Sequence, residues 1–172
     1  MLNGKLIKLR ALEPADIDLL FEWENNSEVW QISDTIQPYS RYALEQYVNS
    51  VQDIYSQRQI RFIIEEIGTN KAVGCVDLFD FDPIHKRVGV GILVSDSDNR
   101  KKGFGKEAIE LILEYCKDIL ECHQVYCNVL TDNEISLNLF DHFGFNAVGV
   151  KKDWIRIGNE MHHEVLLQKI FE

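Results

Sequence analysis

The residues best suited to chemistry lie in one continuous stretch. Val88-Gly89-Val90-Gly91-Ile92-Leu93-Val94 leads, a few residues later, into Arg100-Lys101-Lys102-Gly103-Phe104-Gly105-Lys106-Glu107-Ala108. The β-branched run predicts a strand and the basic, glycine-bearing stretch a loop. Ala108, Ile109, Ile112, Leu113, Cys116, Ile119 and Leu120 then recur at helical spacing. A helix N-terminus presents unpaired amide N–H groups and a positive partial charge. Glycines let a ligand approach that backbone closely. Arg100, Lys101, Lys102 and Lys106 form the densest basic cluster in a chain whose net charge is −10. Together these features describe a cradle for phosphate or pyrophosphate.

Other readings of the loop fit less well. A P-loop requires Ser or Thr after its lysine, and Lys106 is followed by Glu107. Gly103-Phe104-Gly105-Lys106-Glu107-Ala108 fits the dinucleotide pattern G-x-G-x-x-A, which should open the first βαβ unit of a parallel sheet. Here it follows a run of hairpin-linked strands, with too little chain left for such a fold. A loop that merely turns into a helix explains Gly103 but not four cations. Gly89 and Gly91, on one face of the strand, suit either a bulge or bound ligand, or crowding by a neighbouring aromatic.

The positioning elements read as follows. Leu6–Leu12 alternates as a strand, and Asp16 caps a helix carrying Ile17, Leu20 and Phe21. A second helix is expected from about Arg41 to Tyr55, with Leu44, Tyr47, Val48 and Val51 apolar. Strands at 60–67, 72–81 and 87–94, separated by Gly68-Thr69-Asn70 and Asp82-Pro83, make an antiparallel meander. Beyond the basic loop and its helix come a strand over 125–130 and a helix opened by Asp132-Asn133. That helix shows Ile135, Leu139, Phe140 and Phe143 on one face and is closed by Gly144. Two or three strands finish the chain, with Gly158-Asn159 as a hairpin turn. The order β-α-α-β-β-β-α-β-α-β-β predicts an α/β chain in the α+β sense: a mixed, mostly antiparallel central sheet flanked by helices.

Its 172 residues suit a single domain, 1–172. No apolar run approaches a membrane span, and the N-terminal residues lack a signal peptide's apolar core, so a cytoplasmic address is expected. With 28 acidic against 18 basic residues, the surface disfavours nucleic acid and anionic membrane and would attract cationic substrates. Cys75, Cys116, Cys122 and Cys127 contain no C-x-x-C pair, so buried reduced thiols are expected. Cys122-His123 and His162-His163 lack the second half of a ligand set, so no metal is expected.

The strand followed by Arg100-x-x-Gly103-x-Gly105 resembles the acetyl-CoA motif of GNAT acetyltransferases. The element order is similar to that superfamily over nearly the whole chain. Asn133-Glu134-Ile135-Ser136, running through Phe140 to Gly144-Phe145, resembles its second cofactor motif. Leu9-Arg10-x-Leu12-Glu13 and the Gly158-Asn159 hairpin resemble the spermidine and ribosomal-protein acetyltransferase branches. The resemblance implies a GNAT-like fold and direct acetyl transfer from acetyl-CoA to a primary amine. A polyamine is favoured, with a protein N-terminus, an aminoglycoside or a non-catalytic acetyl-CoA-binding module as alternatives. It implies that amides from Arg100 through Lys101, Lys102, Gly103, Phe104 and Gly105 to Lys106 hold the pyrophosphate. Ile92, Leu93 and Val94 would pair with the pantetheine arm, an amide such as that of Leu93 would stabilise the oxyanion, and Asn133, Ser136 and Phe140 would flank the cofactor. Relatives are often dimers or larger.

Two positions depart from the family pattern. Phe140 stands where many relatives carry a tyrosine, and Gly89 where many carry a glutamate. The catalytic residue is therefore open, with Asp77 and Tyr126 as candidates and Ser136 and His142 as further possibilities. Asp77 and Asp80, in an apolar strand, have as their plainer reading a pairing with Lys86, Arg87 or backbone amides. Glu22, Glu24, Glu28 and Asp34 cluster where relatives build the acceptor side. Glu24, Glu28, Asp34 and Asp80 are thus the candidate contacts for a cationic acceptor, against the plainer reading of a solvated helix face.

Overall fold

The computed structural model describes residues 2–26, 30, 35, 37–50, 52–95 and 102–172. Eight strands make one sheet: β1 (Leu2–Asn3), β2 (Ile7–Ala11), β3 (Ile60–Glu66), β4 (Ala72–Asp82), β5 (Arg87–Val94), β6 (Gln124–Leu130), β7 (Asn146–Ile157) and β8 (Glu160–Ile170). Their spatial order is β1-β2-β3-β4-β5-β6-β8-β7. Every neighbouring pair is antiparallel except β5 and β6, which run parallel because the helical crossover between them returns the chain to the same end. The mixed, mostly antiparallel sheet expected from the sequence is thus the one observed. The Leu6–Leu12 strand is joined by β1, whose two residues pair Leu2 with Leu9 and Asn3 with Lys8.

Side-chain alternation gives the sheet two apolar faces. One packs Ile64, Val76, Val88, Val90 and Val125 against α4 (Phe104–Glu114) and α5 (Glu134–His142). The other packs Ile63 and Cys75 against Leu20 and Trp23 of α1 (Ile17–Glu24) and Leu44 and Val48 of α2 (Arg41–Val48). All four cysteines are buried and free, and burial pushes the Cys75 thiol up to about 12.

Local expectations need correction in four places. The helix predicted over 41–55 stops at Val48, because Asn49 and Ser50 turn their side chains back onto the carbonyls of Glu45 and Tyr47. A new turn, α3 (Ile54–Gln57), starts where Asp53 accepts the amides of Tyr55 and Ser56; Val51 lies outside the described residues. Asp16 stands at the start of α1, but its carboxylate is drawn back to the Arg10 guanidinium and the Glu13 amide. After α4, residues Tyr115–Ile119 form a π-turn in which Leu120 N–H reaches the Tyr115 carbonyl. The extra residue per turn swings Ile119 out to 63% exposure while Leu120 stays buried. In α5, Phe140 is buried and Leu139 and Phe143 pack against the core as expected, joined by Leu137, but Ile135 is 72% exposed. The two or three strands expected at the C-terminus are two, β7 and β8, joined at Gly158-Asn159, with the twelve-residue β7 bent by register shifts at Ala147/Gly149 and Lys151/Ile155.

Candidate functional site

The site begins with a break in the sheet. β5 and β6 pair only at Arg87–Gln124, Val88–Val125 and Gly89–Tyr126. Beyond that point β5 stays paired to β4 as far as Val94, and β6 stays paired to β8 as far as Leu130. Among the described residues, the edge of β5 from Val90 to Val94 that faces β6 has no strand partner. Backbone donors and acceptors of such an edge must bond elsewhere, and an extended ligand can do so as an added strand. Ile92 and Val94 turn their backbone groups to this edge, whereas those of Leu93 face β4, its carbonyl lying over Gly74, so the Leu93 amide expected to meet the oxyanion is bonded within the β4–β5 ladder instead.

The helix next to the gap supplies its polar end. Gly103 caps α4 with φ +88°, a left-handed conformation that favours glycine. The first intrahelical bond runs from Glu107 N–H to the Gly103 carbonyl at 3.0 Å. The amides of Phe104, Gly105 and Lys106 therefore precede the helical ladder. Gly105 rests on β5: a β-carbon there would lie 3.7 Å from Ile92 and 3.6 Å from Val94. Lys102 and Lys106 are exposed at this end, with Lys102 Nζ 5.6 Å from the Phe104 ring. The Phe104 ring itself is a core side chain, so its amide and not its ring faces the site. Arg100 and Lys101 lie outside the described residues.

Glu107, a residue the sequence reading passed over, fixes this helix in place. Its carboxylate accepts the amides of Lys5, Leu6 and Ile7 at 2.6, 2.8 and 2.8 Å. Burial acts to raise its pKa, but the three amides hold it below the usual carboxylate range. The β1–β2 turn is thereby tied to the first turn of α4.

On the β6 side, Asn133 caps α5 by accepting the Ser136 amide at 3.1 Å. Phe140 points into the core, edge-on to Phe145 with ring centroids 5.0 Å apart. The exposed His142 ring packs edge-on to Phe143.

The α1/α2 face of the gap carries the remaining candidates. Asp77, the register partner of Gly91, receives both sides of the Arg61 guanidinium at 2.6 and 2.9 Å. Arg61 also bonds Glu24. Asp77 thus has an ion-pair partner, as its plainer reading required, but the partner is Arg61 across the β3–β4 ladder and not Lys86 or Arg87. Burial opposes the Arg61 charge, yet the two carboxylates hold its pKa well above the usual value. Glu24 and Asp77 are brought together by this one cation. Tyr47 approaches the same group from α2, its phenol pushed up mainly by burial. Glu28 and Asp34 lie outside the described residues.

Gly89 is explained by crowding. A β-carbon there would fall 2.3 Å from the Phe79 ring, and one at Gly91 would lie 3.8 Å from it. Phe79 in turn packs edge-on to Tyr126 at 5.9 Å. Tyr126 donates its hydroxyl to Asp80 at 3.2 Å, and burial followed by the Asp80 charge pushes the phenol up to about 12.

With this geometry established, comparison with known proteins becomes informative. Residues 7–146 match the family model for the acetyltransferase (GNAT) domain. Over 149 residues the chain is 28% identical to a spermidine N(1)-acetyltransferase of Vibrio cholerae, covering 86% of this chain and 83% of that protein. It is 33% identical over 158 residues to an N-acetyltransferase 9-like protein of Nematostella vectensis, covering 86% and 78%. The crystal structure of the Vibrio cholerae spermidine N-acetyltransferase with CoA and spermine superposes with a TM-score of 0.86 at 24% identity, covering 97% of this chain and 96% of that one.

Proposed function

Because the chain belongs to the GNAT family of acetyl-CoA-dependent N-acetyltransferases, we propose that its acceptor is a primary amine of a polyamine, spermidine or a diamine first. The observation that carries the reading is the unpaired β5 edge running to the amides at the start of α4. A pantetheine arm pairs along Val90–Val94, and the pyrophosphate lies at Phe104–Lys106 with Lys102 and Lys106 beside it. The thioester then sits in the gap between β5 and β6. A gap-facing β5 amide, that of Ile92 or Val94, receives the oxygen that becomes negative during attack, since the Leu93 amide is bonded to β4. Asn133 keeps α5 capped on the opposite wall.

The acceptor enters from the α1/α2 face. There Glu24 and Asp77 share one guanidinium, so two carboxylates and one cation leave a net charge of −1. That surplus suits a second ammonium of an extended polyamine, and Arg61 holds both carboxylates fixed for it. The similarity to a spermidine N(1)-acetyltransferase supports the same acceptor class. The amine attacks the thioester directly, forming the C–N bond as the C–S bond breaks, with no acyl-enzyme. Residues 1–172 act as one catalytic domain in the cytoplasm. The chain works as a homo-oligomer, a reading supported by a dodecameric Vibrio cholerae relative and by exposed Val148, Val150, Trp154 and Met161 on the β7–β8 hairpin.

The test is acetyl-CoA-dependent thiol release with product mass spectrometry across spermidine, spermine, putrescine, an aminoglycoside and an N-terminal peptide. Acetylated polyamine in preference to the other amines is the expected outcome. Preference for the peptide or the aminoglycoside would overturn the acceptor assignment.

A further inference from the structure

We propose that Asp80 and Tyr126 are the proton-handling pair of the transfer, taking over the task that Phe140 and Gly89 cannot perform. The inference rests on the acetyl-transfer reading above and adds to it the residues that move the proton.

Tyr126 is the register partner of Gly89, the last paired residue before β5 and β6 separate. Its ring therefore stands at the closed end of the gap, on the sheet face that also carries Asp77 and Gly91. A carboxylate reaches the same point from β4 and not from β5. Position 89 cannot carry one, because the Phe79 ring occupies the space of its β-carbon. β4 supplies it instead. The β4–β5 register shifts between Phe79 and Asp82, and Asp80 within that shift takes φ +49°. A non-glycine residue in the left-handed region is uncommon, and aspartate is among the side chains that tolerate it. The excursion places Asp80 Oδ2 3.2 Å from the Tyr126 hydroxyl. A cleft of about 690 Å³ opens on the pair, with Arg87, Gln124, Leu166 and Gln168 among its walls.

The protons balance within the pair. The attacking nitrogen, having given up its ammonium proton to water and entered as the neutral amine, forms its bond to the acetyl carbon and passes a proton to the Asp80 carboxylate. The C–S bond breaks, and the Tyr126 hydroxyl gives its proton to the departing sulfur. Asp80 then returns the proton to the Tyr126 oxygen across their hydrogen bond. From the neutral amine onward, the net change is one proton moved from nitrogen to sulfur, with no external acid or base.

The experiment is steady-state acetylation of spermidine by the full chain and by Tyr126→Phe, Asp80→Asn and the double variant. Phenylalanine keeps the ring against Phe79, and asparagine keeps both the shape and the tolerance of a left-handed backbone, so each variant retains the fold. Loss of acid–base assistance lowers kcat by about 100-fold. KM stays within about twofold, and because the two groups act as one unit the double variant is no slower than the worse single one by more than about threefold. Wild-type turnover with both single variants within about threefold of it, or with KM alone raised, would overturn the assignment and leave the acetyltransferase reading standing. Absence of wild-type transfer to any amine would overturn both.

Discussion

Replacing Glu107 by glutamine tests how the cofactor helix is held. One carboxylate oxygen accepts the Lys5 amide, and the other accepts those of Leu6 and Ile7. Glutamine keeps one acceptor oxygen and turns an NH₂ group toward an amide donor. At least one charge-assisted bond, worth roughly 1.5–3 kcal/mol, is lost. The site is partly open to water, so we take the low end of that range, about 1.5 kcal/mol. Urea denaturation of the two proteins at pH 7 measures it. The pH dependence gives an independent check. The folded carboxyl is held below its usual range, so its contribution is complete above the unfolded-state value near about 4.3 and is lost as pH falls through the lower folded value. The gap between wild type and Glu107→Gln should therefore close on acidification. Gly4→Ala should behave alike, since a β-carbon there would fall 2.5 Å from the Glu107 carboxyl carbon. A Glu107→Gln protein within about 0.5 kcal/mol of wild type, the range of ordinary surface substitutions, would refute the clamp.

Three further outcomes follow from the same contacts. Arg61→Met removes the cation between Glu24 and Asp77 and should cost about 2 kcal/mol in urea denaturation, within the range for losing charge-assisted hydrogen bonds between partly buried groups; Arg61→Lys should recover only part, lacking the planar fork that serves both carboxylates. Gly89→Ala should destabilise by about 1–3 kcal/mol through overpacking against Phe79, and Phe79→Ala in the same chain should relieve that cost. Asp16 titrates below its usual range because the Arg10 guanidinium and the Glu13 amide outweigh its burial; Asp16→Asn should lower stability at pH 7 and flatten the loss seen as pH drops below about 4.

What the sequence made legible was local. The strand, basic loop and helix from Val88 to Leu120 announce themselves through composition change and period. Gly103 is readable because a helix start with left-handed backbone calls for glycine. The meander and the Gly158-Asn159 hairpin follow from turn residues between β-rich runs. What escaped depends on chain segments far apart in sequence. Arg61 reaches Asp77 because their strands pair in that register, which no local pattern encodes. Glu107 sits in a helix face that reads as solvated, and its three partners are a hundred residues away. Ile119 and Ile135 kept the apolar period, yet a π-turn and the tilt of the buried stripe turned both outward. Gly89 was ambiguous between ligand and aromatic until Phe79 was placed over it.

The claim on which the rest depends is that acetyl-CoA occupies the gap between β5 and β6, and amide hydrogen exchange with and without CoA tests it most directly. Added protection at Val90–Val94 and at Phe104–Lys106, with little change along β1, β2 and β7, is the expected result. CoA binding that leaves both segments unprotected and slows exchange elsewhere would show that the unpaired β5 edge is not the cofactor site.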